Sequence, residues 1–212
     1  MNMILLVDDH PMMRKGSMAM IQTLPGSMMC LEAGTRLEAL ALLEEHSVDM
    51  AVVDLVLGQD DGLDFIKEIT VRFPDLKVLV LSMQPEALYV ERILKAGALG
   101  MVSKSDDPDT VMEAFATVLR GEFFMSRASN ALMLKKLLRR KLPKGDSPVS
   151  LLSDRELHVF QMLGTGYTTA NVAEHLGLSV KTVETHREKI KRKMRLKDAK
   201  QLIHAARTWV EG

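Results

Sequence analysis

The chain of 212 residues is 47% hydrophobic, 26% charged and formally neutral, but residues 1–121 carry 10 Lys+Arg against 19 Asp+Glu, while residues 122–212 carry 18 against 9. This composition supplies a buried core and excludes a disordered or fibrous chain, and the single cysteine, Cys30, excludes an internal disulfide framework and fits a reducing compartment. No apolar stretch reaches membrane-spanning length and the N-terminal M-N-M-I-L-L-V-D-D lacks a basic signal region, so a soluble cytoplasmic protein with no membrane partner is expected.

In chain order, strand-like apolar runs fall at Met3–Val7, Met28–Ala33, Met50–Val53, Lys77–Leu81 and Met101–Val102. They alternate with helical patterns near Pro11–Thr23, Arg36–Glu45, Leu63–Phe73, Glu86–Ala96 and Pro108–Arg120. Such βα alternation predicts an α/β fold: a doubly wound, five-stranded parallel sheet covered on both faces, because parallel strands joined by short connections need crossover helices. Ligand sites in these sheets lie beyond the carboxyl ends of the strands.

The polar residues at those ends are chemically coherent. Asp8 and Asp9 follow the first strand, Asp54 the third, Ser82 the fourth and Lys104 the fifth. Three gathered carboxylates repel unless protonated or bridged by a hard cation, and oxygen-only ligation suits Mg²⁺. Asp54 can then act as a carboxylate nucleophile toward a phosphoryl group, with Lys104 offsetting charge on its oxygens and Ser82 donating a hydrogen bond.

The segments L-V-D-D-H-P-M-M-R-K-G, V-V-D-L-V-L-G-Q-D-D-G-L, V-L-V-L-S and A-G-A-L-G-M-V-S-K resemble, in order and spacing, the receiver domain of bacterial two-component response regulators. The resemblance implies a flavodoxin-like receiver over 1–121, with Asp54 as phosphoacceptor. Asp8, Asp9, Asp54 and the Val56 carbonyl would bind Mg²⁺, and Ser82 and Lys104 would read the phosphoryl group. Two positions depart from the family pattern. Gly58 replaces the usual proline, which predicts a less restricted loop after Asp54. Met101 replaces the aromatic residue that works with Ser82 as the switch, leaving an adaptable apolar chain without ring or hydroxyl.

Residues 122–149 read as a linker. K-K-L-L-R-R-K lies in a helical pattern around Leu132 to Arg139, with a solvated face rather than a DNA contact expected, and P-K-G-D-S-P then breaks it.

Residues 150–212 predict a small all-α domain. Ser153-Asp154-Arg155-Glu156 is a capping box opening a helix with Leu157, Phe160 and Leu163 at helical spacing, ended by Gly164 and Gly166. A short helix, Thr169–Leu176, closes at Gly177, and Ser179 caps a longer one to about Arg195. This is a helix-turn-helix pattern. Packing Val183, Ile190 and Met194 inward turns Lys181, Thr185, Glu188 and Arg192 outward, a polar face suited to a DNA major groove.

L-S-D-R-E-L-H-V-F-Q-M-L-G-T-G-Y and V-A-E-H-L-G-L-S-V-K-T-V-E-T-H-R-E-K-I-K-R-K-M are similar to the LuxR-type DNA-binding domain of NarL/FixJ response regulators. By family position Glu184, Thr185 and Glu188 would face base edges, and Lys181, Thr182, His186, Arg187 and Lys191 would contact phosphates. Ala170 lacks the phosphate contact that lysine gives many relatives, and Asn171 lacks their first-turn carboxylate, so the short helix should be weaker. His158, His175 and His204 are read as packing or surface residues. Leu202, Ala205, Ala206 and Trp209, in a last helix over Ala199–Trp209, would supply a dimer contact on DNA.

The resemblance therefore implies a transcription factor, not an enzyme, phosphorylated on Asp54 by a sensor histidine kinase. It would bind double-stranded promoter or operator DNA as a homodimer when phosphorylated, with RNA polymerase as a further partner. Two other readings fit the same residues: a constitutive DNA-binding regulator whose receiver is only an interaction platform, and a Mg²⁺-dependent phosphohydrolase. Against the second, Val56 stands where such enzymes commonly place another acid.

Overall fold

Strand β1 (Asn2–Val7) is an apolar run whose last four residues are buried, and it stops where Asp8 begins. Helix α1 (Pro11–Ile21) follows, started by a proline whose missing N–H costs nothing in a first turn. Strand β2 (Met28–Ala33) leads to α2 (Arg36–Glu45), whose N-cap Thr35 accepts the Glu38 N–H. After β3 (Met50–Val53), a short antiparallel hairpin of β4 (Val56–Leu57) and β5 (Asp60–Asp61) precedes α3 (Gly62–Arg72). Strand β6 (Lys77–Ser82), α4 (Glu86–Lys95), β7 (Gly100–Ser103) and α5 (Pro108–Leu119) complete the first unit. We analysed a computed structural model of the chain, which describes residues 1–58, 60–84, 86–126, 129–131 and 148–211.

The chain divides into two compact units, Met1–Leu142 and Pro143–Gly212. In the first, five parallel strands run in the order β2-β1-β3-β6-β7. One sheet face, with Ile4, Leu6, Met50, Val52, Leu79 and Leu81, shares a core with Phe115 and Val118 of α5 and Ile21 of α1. The alternate residues Leu5, Val7, Ala51, Val53, Val78 and Val80 are also buried, as strands covered on both faces require. The expected strands and helices of this unit are present within one or two residues. The hairpin was not expected: it turns through Gly58, at φ +55°, and pairs the two sides of the loop after Asp54.

The linker helix expected around Leu132 to Arg139 lies outside the described residues. In the second unit a 3-10 turn, Pro148–Leu151, precedes α6 (Asp154–Gly164), whose Ser153 and Glu156 form both halves of the capping box. Thr168 caps α7 (Thr169–His175) and Ser179 caps α8 (Val180–Met194), which ends on Arg195 at φ 57°. Helix α9 (Ala199–Glu211) closes the unit. Val183 and Ile190 of α8 are fully buried, whereas Met194 is only half-buried.

Helix α9 corrects one expectation for two of its four residues. Leu202 and Ala206 are fully buried, and the Trp209 ring packs at 5.7 Å from that of Phe160 on α6. Leu202 and Ala206 thus cover the unit's own core, while Ala205 and Trp209 are half-buried. The cause is Gly164: a Cβ there would meet the Ala206 carbonyl at 2.5 Å, so α6 and α9 approach to backbone contact and draw that face inward.

Candidate phosphoacceptor site and nucleic-acid interface

Strand register assembles the first site. Val7 pairs with Val53, which sets Asp8 beside Asp54, and Ser82 pairs with Ser103, which sets Lys104 at the same edge. Asp54 is 5% exposed and its carboxylate is held from two sides: Ser82 Oγ donates to Oδ1 at 2.6 Å and Lys104 Nζ to Oδ2 at 2.6 Å. The same ammonium lies 2.6 Å from Asp8 Oδ2, so one cation serves two buried carboxylates.

That sharing explains the electrostatics. Burial raises the pKa of Asp54 above the usual carboxylate value, opposed by the charge and hydrogen bond of Lys104 and by Ser82, and reinforced by Asp8. Burial alone would lower Lys104, but Asp54 and Asp8 together hold its pKa above the ordinary lysine value. The ammonium is fixed as a cation and the cluster retains excess negative charge.

Asp8, Asp9, His10 and Asp54 each offer a ligand atom, all within 4.8 Å of one another. Asp9 Oδ1 is buried with no hydrogen-bond partner among the described residues, although His10 Nδ1 lies at 2.7 Å without hydrogen-bond geometry. An unsatisfied buried carboxylate oxygen in an oxygen-rich cluster fits a hard divalent cation. Three further groups shape this edge: Gly58 N–H donates to Asp9 Oδ2 at 3.0 Å, His10 N–H to Asp8 Oδ1 at 2.8 Å, and Arg14 Nη1 to the Asp8 carbonyl at 2.5 Å. The Val56 N–H points to Asp54 Oδ1 at 3.3 Å, and Met101 is fully buried on β7.

In the second unit, α8 presents Lys181, Thr182, Glu184, Thr185, Glu188 and Lys189 as exposed residues, a continuous polar face. Its carboxylates are paired: Glu184 with Arg187 at 2.8 Å and Glu188 with Lys191 at 2.7 Å. Thr182 Oγ1 lies 2.8 Å from the capping Ser179 hydroxyl, and Thr185 Oγ1 donates to the Lys181 carbonyl at 3.0 Å. His186 and Arg187 are half-buried, and burial, with the charges of Lys189 and Arg155, lowers the His186 pKa against the opposing Glu156. Glu156 anchors α8 to α6 by accepting Lys193 Nζ at 2.6 Å.

Residues 4–116 match the response regulator receiver domain, and residues 150–206 match the bacterial regulatory proteins of the luxR family. The chain belongs to the response regulators. It is 33% identical over 207 residues to a putative transcriptional regulator of Pseudomonas aeruginosa, covering 98% of each chain. It is also 29% identical over 208 residues to the oxygen regulatory protein NreC of Staphylococcus epidermidis, covering 96% of this chain and 95% of that one. RcsB of Salmonella enterica serovar Typhimurium, solved bound to a promoter with the phosphomimetic BeF₃⁻, shares the fold with a TM-score of 0.58 at 22% identity, over 96% of each chain.

This response regulator thus brings Asp8, Asp9, Asp54, Ser82 and Lys104 to one sheet edge and the α8 residues to one exposed face. Sequence reading missed His10 and Arg14 at the first site, although His10 stands within the quoted L-V-D-D-H, and it read Gly58 only as a loop residue without its bond to Asp9. It also missed Thr169, whose hydroxyl accepts Arg187 Nη1. A threonine opening a helix carries no local mark of a partner 18 residues away.

Proposed function

We propose that this response regulator is a transcription factor switched by phosphorylation of Asp54 from a partner histidine kinase. The observation that carries the reading is the Asp54 carboxylate, buried yet hydrogen-bonded by Ser82 and Lys104 at 2.6 Å beside Asp8 and Asp9. An Asp54 oxygen attacks phosphorus as the kinase imidazole leaves, so that an O–P bond replaces an N–P bond and an aspartyl phosphate results. Lys104 Nζ, already at that oxygen, moves onto the phosphoryl oxygens, and the Ser82 hydroxyl turns to donate to one of them. Asp8, Asp9, Asp54 and the Val56 carbonyl would hold Mg²⁺, which supplies charge neutralisation at the phosphoryl group. Met101 occupies the switch position as a buried apolar chain that repacks when Ser82 moves.

The output is double-stranded operator DNA, read by α8. Glu184, Thr185 and Glu188 face the bases, while Lys181, Thr182, His186 and Lys191 lie toward phosphates. Phosphorylation favours a homodimer, which places two recognition helices on two half-sites and brings the protein to RNA polymerase at a promoter. A cytoplasmic location agrees with these partners. The domain limits that fit are receiver 1–121, linker 122–149 and output domain 150–212, a division supported by the two separate units and the two family matches.

Phosphotransfer from acyl phosphate to the full chain, with and without Mg²⁺, tests the reading. One equivalent of label, lost in Asp54→Asn, is expected, together with tighter operator binding after labelling. Equal label in the variant removes Asp54 from its role. Continuous phosphate turnover would instead support the hydrolase reading, and unchanged DNA affinity the constitutive one.

A further inference from the structure

The recognition helix carries two exposed carboxylates one turn apart, and each has a cation three residues on, yet the two cations are not equivalent. Among the described residues, Lys191 pairs only along its own helix, with Glu188. Arg187 is 16% exposed, and its Nη1 donates both to Glu184 Oε1 at 2.8 Å and to Thr169 Oγ1 on α7. Its Nε is buried without a hydrogen-bond partner among the described residues. A guanidinium clamped between two helices cannot reach a DNA phosphate without giving up both bonds and its packing, whereas Lys191, at 20% side-chain exposure, has a single ion pair within its own helix to give up.

We propose that Arg187 is a positioning residue that holds Glu184 as a base-reading carboxylate, aimed at the exocyclic amino group of a cytosine, and that it is not a phosphate contact. The assignment rests on the DNA-binding reading above. An ionised carboxylate only accepts hydrogen bonds. In the major groove that leaves the amino groups of cytosine and adenine, and adenine sets an acceptor nitrogen beside its amino group, which repels the second carboxylate oxygen. An unsupported glutamate near a phosphate backbone would be repelled and mobile. Arg187 balances its charge and fixes its direction, and Thr169 fixes Arg187 relative to α7.

Duplexes are selected with the full chain, after acyl phosphate treatment, to find the cytosine at which Glu184→Ala loses discrimination. Binding of Arg187→Ala, Arg187→Lys and Thr169→Val is then measured against the selected duplex and its base-substituted forms over a range of salt. Loss of about tenfold in discrimination at that one cytosine is expected for Arg187→Ala, with no further loss in the double variant with Glu184→Ala. The dependence of log affinity on log salt should keep the wild-type slope. Arg187→Lys should keep the slope and fail to restore discrimination, because the shorter side chain sets its ammonium short of the place from which Nη1 serves both Glu184 and Thr169, and this holds the test open if the alanine variant folds poorly. Weakening by Arg187→Ala that is uniform across duplexes, with a slope shallower by about 0.9, would make Arg187 a phosphate contact and overturn the proposal alone. Absence of selective DNA binding by the unaltered chain would overturn both this proposal and the reading beneath it.

Discussion

The backbone N–H of Gly58 donates to Asp9 Oδ2 at 3.0 Å from a residue whose φ is +55°. Proline at this position would have no N–H and a φ locked near −65°. Gly58 therefore holds one of the carboxylates expected to bind Mg²⁺. Gly58→Pro should weaken Mg²⁺ binding about tenfold by calorimetry, the scale of one hydrogen bond to a charged group. Gly58→Ala keeps the donor at a strain of about 1 kcal/mol and should stay within roughly threefold. Unchanged Mg²⁺ affinity in the proline variant would show that the donor does not orient Asp9.

Burial raises the Asp54 pKa, so the folded chain binds that proton more tightly than the unfolded chain. The sign of the linkage follows: ionisation of Asp54 lowers stability as pH rises through the unfolded value, near 3.8, toward the raised folded value. Above both, the cost is constant. Asp54→Asn should accordingly be more stable than the parent near neutral pH, by on the order of 1 kcal/mol, with Lys104 still paired to Asp8. The difference should close below about pH 4. A neutral-pH stability equal to or below the parent would mean that the Lys104 pair outweighs desolvation.

His158 is held neutral. Burial, with the charges of Arg155 and His175, pushes its pKa down to about 4 from 6.5. The unfolded chain binds the extra proton between those values, so the contribution of His158 is fully present above about pH 6.5 and falls by about 3 kcal/mol as pH drops toward 4. Trp209, the sole tryptophan, reports the second unit's unfolding in denaturant. His158→Leu should flatten most of the pH dependence between 4.5 and 6.5, leaving the smaller share of His186, whose pKa is also lowered by burial. An unaltered slope in that window would show that His158 is protonated in the fold.

Gly164 lets α6 and α9 touch. Alanine would favour the helix by about 1 kcal/mol in isolation. Its Cβ would nevertheless lie 2.5 Å from the Ala206 carbonyl and 2.7 Å from Val210 Cγ2, and overpacking of this kind costs about 1–3 kcal/mol. Gly164→Ala should destabilise the second unit in the Trp209 assay and shift the Trp209 emission toward that of a solvated indole. A gain in stability would show that the two helices separate freely.

The sequence by itself determined the elements and much of the placement of the chemistry. Apolar runs, alternation with amphipathic helices, and caps at Ser153 and Ser179 act over a few residues, so they are legible in the chain. That alternation also forces Asp8, Asp9, Asp54, Ser82 and Lys104 to one edge, because parallel strands joined by crossover helices all end on the same side. Tertiary structure alone decided which groups touch. The Lys104 ammonium meets Asp54 across 50 residues, Gly58 meets Asp9 across 49, and Arg187 meets Thr169 across 18. Each of these contacts depends on strand register, the φ of one glycine, or the approach of two helices, and none of those is set by neighbours in the chain. The inward turn of Leu202 and Ala206 has the same origin, since helical periodicity marks an apolar face but not the surface that will cover it.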